Sequence, residues 1–156
     1  MGAGDRPIMA QVCLLGDPES DLRYELLSRE TAREALATYD LREPYANSLA
    51  LDTVSIGAAV ALLNDLNWYL VRFARTALVQ SDSVSETEWL SRELATAIRD
   101  GEVDPAETGR FLKVYGVEDG SVEDPAFVER DGAWTPERDG YDDVLVVRVA
   151  EAEFGG

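Results

Sequence analysis

The chain contains no histidine. That removes His general bases, Ser–His and Cys–His nucleophile pairs, and every His-ligated metal site. There is one cysteine, Cys13. A single thiol forms no internal disulfide and cannot hold a structural zinc or an iron–sulfur cluster. Its place in the apolar run Val12–Leu15 predicts a buried, reduced and inert side chain. Long apolar runs are missing too. Ile56–Leu63 is cut off by Asn64 and Asp65, far short of the ~18 residues of a membrane span. Neither a P-loop nor a GxGxxG motif occurs.

Lysine is nearly absent. Lys113 is the one lysine among 14 basic residues, which face 31 acids, and the net charge of the 156 residues is -17. At this length one domain is expected. A hydrophobic content of 46% supports a folded core despite the charge. Acids run through the whole chain instead of gathering in a tail. Such a surface suits molar salt, where the Debye length is about 3 Å and hydrated carboxylates keep a protein soluble. A halophilic, cytoplasmic protein is therefore expected. The arginines are interleaved with acids, which argues against nucleic acid as a partner. No membrane partner is expected either.

The hydrophobic pattern predicts one α+β or α/β domain of three main helices packed on a mixed four- to five-stranded sheet, with a ferredoxin-like arrangement as the first expectation. Residues 1–8 read as a disordered extension and 9–117 as the α/β core. Residues 118–143 read as an acidic loop or hairpin, and 144–156 as a closing strand and tail. Gln11–Leu15 is an apolar strand. Helix runs from Asp21 to Tyr39 with a break near Ser28, and Ser55 caps a second helix. Trp68–Arg75, rich in aromatic and β-branched residues, gives the plainest strand pattern. Ser85-Glu-Thr-Glu88 has the form of a capping box opening a third helix that ends at Gly101.

Three constellations are candidates for chemistry. Asp17, Glu19 and Asp21 follow the first strand and offer hard oxygen ligands for Mg2+, the one cofactor considered. The plainer reading makes them turn and helix-cap residues. Arg72 and Arg75, with Arg110 and Arg148 on other strands, form an anion or partner site if those strands are neighbours. The plainer reading pairs each with a nearby acid. Trp134, in a polar loop, is either a partner anchor or a pin for the loop.

Val12-Cys-Leu-Leu-Gly-Asp-Pro18, the helix Leu22–Tyr39, Ser55–Val60 and Trp68–Phe73 together resemble a small family of haloarchaeal proteins of unknown function. The resemblance spans about residues 10–117. It implies a haloarchaeal cytoplasmic origin and no particular activity. The leading functional expectation is a non-enzymatic module that binds a protein partner. The alternatives are a small carboxylate- or Mg2+-dependent enzyme acting on an anionic metabolite, and a ligand-sensing regulatory domain.

Overall fold

The computed structural model describes residues 10–132 and 134–154. The extension expected over residues 1–8 lies outside them. The chain opens with β1 (Ala10–Gly16), followed by α1 (Leu22–Leu27) and α2 (Glu30–Leu36). Asp21 caps α1 by accepting the Tyr24 N–H, and the chain breaks at Ser28 before α2 begins. Next come β2 (Ser48–Thr53) and α3 (Ile56–Asp65), the latter capped by the Ser55 hydroxyl. Helix α4 (Asn67–Phe73) runs directly into β3 (Ala74–Ser81). Strand β4 (Trp89–Ser91) is three residues long and becomes α5 (Arg92–Arg99) at once, with Ser91 as the cap. Helix α5 ends where Gly101 N–H bonds to Ile98 and Glu102 N–H to Ala97, a Schellman closure. Strands β5 (Phe111–Glu118) and β6 (Ser121–Glu129) form a hairpin, and β7 (Asp143–Arg148) follows a loop.

Seven strands make one mixed sheet in the order β2-β1-β3-β4-β7-β5-β6. Among the described residues its one parallel pair is β4 with β7. One face of β1–β4 carries Val12, Leu14, Leu51, Val79 and Leu90, which pack under Leu26, Leu63, Leu66 and Leu94 of the helical side. The alternate residues Cys13, Leu15, Ala50 and Leu78 point the other way and meet Tyr115, Val117, Leu145 and Val147 of β5 and β7. The sheet therefore folds over on itself, hinged at the short β4. Two contacts hold the fold-over. Ala46 N–H donates to the Gly120 carbonyl, and Arg75 donates from β3 to the Val122 and Glu123 carbonyls of β6. Cys13 lies fully buried in this second core, and burial raises its thiol pKa to about 12. The outer face of β5 and β7 carries Leu112, Val114 and Val146. Tyr141 lies flat against Gly116 beside them, a close approach that any Cβ would block.

The expected four- to five-stranded sheet with three main helices is corrected to seven strands and five helices among the described residues. A ferredoxin-like order is ruled out, because both neighbours of β1 are antiparallel to it. Part of the discrepancy is Trp68–Phe73, which is helix and not strand. Leu66, Tyr69, Leu70 and Phe73 recur at i, i+3, i+4 and i+7 and pack on the core, so the helical period outweighs β-propensity. The box at Ser85 opens no helix. Its hydroxyl accepts the Thr87 and Glu88 N–H groups of a turn. The helix starts six residues later, which frees Trp89–Ser91 to be a strand. Strand β6 is hidden in sequence by Glu123, Asp124 and Pro125, which suit only an edge.

Candidate functional site

The acidic loop after β1 is a locked turn. Asp17 accepts the Glu19 N–H, and Asp21 caps α1. Asn47 bolts this loop to β2, sitting at a φ of 55° that asparagine tolerates. Its side-chain oxygen accepts the Leu22 N–H, and its amide donates to the Asp17 and Ser20 carbonyls. No group of three or more potential metal ligands comes together among the described residues. Asn47→Ala is expected to cost about 2 kcal/mol, since it orphans a partly buried N–H and two carbonyls. A chemical-denaturation midpoint at fixed KCl measures this, and an unchanged midpoint would remove the bolt from the account.

The four nominated arginines separate into two places. Arg110 and Arg148 sit at the β5/β7 end of the sheet. Arg110 is exposed and paired with Glu129 at 2.6 Å. Arg148 belongs to a buried cluster with Glu88, read from sequence only as part of a capping box, and Arg130, which the sequence did not nominate. Glu88 accepts from Arg130 Nη1 and Nη2 at 2.7 and 2.9 Å, and from Arg148 Nε at 2.7 Å. The Arg130 side chain is 4% exposed and that of Glu88 13%. Arg130 also donates to the carbonyls of Gly109 and Trp134, and Arg148 to the Thr108 hydroxyl. Hydrogen bonding from Arg130, then from Arg148, holds the Glu88 carboxyl below the usual range. Gly109 has a φ of 106° and lies under both guanidiniums, so glycine is required there. The cluster ties four segments together and leaves its carboxylate fully occupied. It is built as a clasp. Trp134 is half exposed, and its indole N–H donates to the Asp131 carbonyl, holding the loop.

Arg72 and Arg75 lie together at the other place, on and just after α4. Arg75 is spent on β6, with Asp124 3.5 Å away. Arg72 is exposed and has no carboxylate within 4.0 Å among the described residues. Its guanidinium lies 3.7 Å from the centre of the Trp68 ring, and it donates to the Trp68 carbonyl. Trp68 is 51% exposed and Val71 70%. Positions 68, 71 and 72 share one helix face. This face lies in the longest acid-free stretch of the chain, Leu66 to Ser81. Beside it a cleft of about 260 Å³ is lined by Leu70, Val71, Ala74, Arg75, Arg92 and Glu93. The signal in sequence was the gap in the acids, and the error about Trp68–Arg75 concealed which side chains that gap exposes.

No helix of the described residues is long and apolar enough to cross a membrane. No curated protein and no solved structure matches the sequence. A family model does match over residues 10–117, from the first residue of β1 into β5. The chain belongs to that family, a family of unknown function designated DUF5804.

Proposed function

We propose that this chain is a halophilic cytoplasmic protein-interaction module and that it docks through the outer face of α4. One observation carries the reading. On a surface of net charge -17, the Trp68–Val71–Arg72 face is aromatic, apolar and cationic, with no acid in its stretch of chain. Elsewhere the acids keep the surface hydrated and resist association. Aromatic residues with arginine are the side chains that anchor interfaces. A tryptophan held under a guanidinium is already ordered, so docking costs little side-chain entropy. The buried Glu88 cluster supports a rigid frame and offers no free carboxylate for acid–base work.

The test is paired affinity capture at molar KCl with the wild-type chain and with Trp68→Ser/Arg72→Glu. The expected result is a stoichiometric protein partner on the wild type and at least a tenfold loss on the variant, at about 1.4 kcal/mol per tenfold. Circular dichroism should show both chains folded, because both side chains are exposed. Equal recovery on the two chains would place docking elsewhere, and Trp134→Ser would then be the next variant.

A further inference from the structure

Beyond β7 the chain turns back across one end of the second core. Val149 N–H donates to the Phe111 carbonyl and prolongs the pairing of β7 with β5. A short 3-10 turn follows at Glu151–Glu153. It is closed in both directions. Glu153 N–H donates to the Ala150 carbonyl, and Ala150 N–H donates to the Glu153 carboxyl at 2.7 Å. Phe154 then meets the rings of Phe111 and Phe127 at centroid distances of 5.0 and 5.7 Å. Residues 149–154 thus lie as a strap over the aromatic end of the β5–β6 hairpin.

Glu153 fixes this strap to the body of the protein. The Ser91 hydroxyl, which caps α5, donates to it at 2.8 Å. Both bonds to the Glu153 side chain end on Oε2. Oε1 is left to carry a proton, so a neutral carboxyl keeps both bonds. The ionised form gains no ion pair, since no Arg or Lys nitrogen lies within 4.0 Å of Glu153 among the described residues. The half-buried acids Glu25, Asp52 and Glu88 each have one. Around Glu153 stand Glu93 of α5, then Lys113 and the Tyr115 phenol of β5. Glu93 repels the carboxylate. Lys113 attracts it, but its ammonium sits over the Phe127 ring, 5.6 Å from the centre. Glu151, on the strap itself, acts on Arg110. Burial is the largest influence and Glu93 adds to it, so the Glu153 carboxyl is held above its ordinary 4.5.

We infer that residues 149–154 form a proton-held strap, which closes over Phe111 and Phe127 while the Glu153 carboxyl is neutral and loosens when it ionises, uncovering an aromatic face of the second core. In the loosened strap the carboxyl is solvated and titrates near 4.5. The closed strap binds the same proton more tightly. Its added stability is therefore complete below about pH 4.5 and is lost as pH rises through the closed-state value.

The experiment is NMR of the full chain in about 1 M KCl from about pH 4 to about pH 8. It reads the Glu153 carboxyl carbon and the Overhauser contact between the Phe154 and Phe111 rings. In the wild type the contact should weaken at least about threefold as pH rises, with the midpoint of the carboxyl carbon and above 4.5. Glu153→Gln supplies a neutral side chain that accepts the same bonds from Ser91 and Ala150, so its contact should keep the acid-side strength at every pH. Glu93→Gln removes the repelling charge at an exposed position and should move the midpoint to lower pH. A wild-type contact that stays level, or one that weakens equally in Glu153→Gln, would overturn the inference. So would a Glu153 carboxyl carbon that titrates at or below 4.5.

Discussion

Raising KCl from about 0.2 M to about 3 M is expected to raise the thermal midpoint by about 10 °C or more. Two effects of screening compete. Salt weakens the eight ion pairs found among the described residues. Six of those pairs join side chains that are each at least 24% exposed. Such pairs contribute about 0–1 kcal/mol apiece. Salt also relieves the mutual repulsion of the carboxylates left over after pairing, which act together on the compact state. With 31 acids against 14 bases the second effect dominates. A net gain of about 3–4 kcal/mol corresponds to about 10 °C at this chain length. Calorimetry across a KCl series checks the direction. A midpoint that stays level or falls would remove the halophilic reading.

The second large effect is expected at Glu88. Glu88→Gln leaves the guanidiniums of Arg130 and Arg148 buried with no anion between them, and breaking such a cluster from one side costs about 3–5 kcal/mol. Part of that loss depends on pH, and its sign follows from the direction of the shift. The folded carboxyl sits below its ordinary value of 4.5. Its contribution is therefore complete above about pH 4.5 and is lost as pH falls through the folded value. The gap between wild type and Glu88→Gln should be widest near neutrality and should narrow below pH 4.5. Using the difference between two chains cancels the other carboxylates, whose protonation in acid relieves repulsion in both. Urea titrations at about pH 7 and pH 3.5 in molar KCl measure it. A gap below about 1 kcal/mol at pH 7 would mean that the clasp contributes little.

Local signals in the sequence translated well. The break at Ser28, the cap at Ser55, the closure at Gly101 and the buried Cys13 each depend on a few neighbouring residues. Longer-range features were not legible. Arg130 meets Glu88 across 42 positions of sequence, and nothing near either residue announces the pairing. Glu88 stands in a capping-box pattern that tertiary structure overrides. Strand β4 is too short to show a period, and β6 bears the acids and proline of an edge, so the sheet was undercounted. Trp68–Arg75 failed for a different reason. Its composition favours strand, while Leu66, one residue before α4, completes a helical stripe. Reading that stripe turns Trp68, Val71 and Arg72 outward together. The candidate surface was thus present in the spacing but masked by propensity.

The most direct test of the docking face is hydroxyl-radical footprinting of the purified chain and of the chain in its captured complex. Trp68 and Trp134 are 51% and 50% exposed, so each serves as a control for the other. The account predicts equal labelling of both in the free chain, then protection of Trp68 and Val71 in the complex with Trp134 unchanged. Protection of Trp134 with Trp68 still labelled would contradict it.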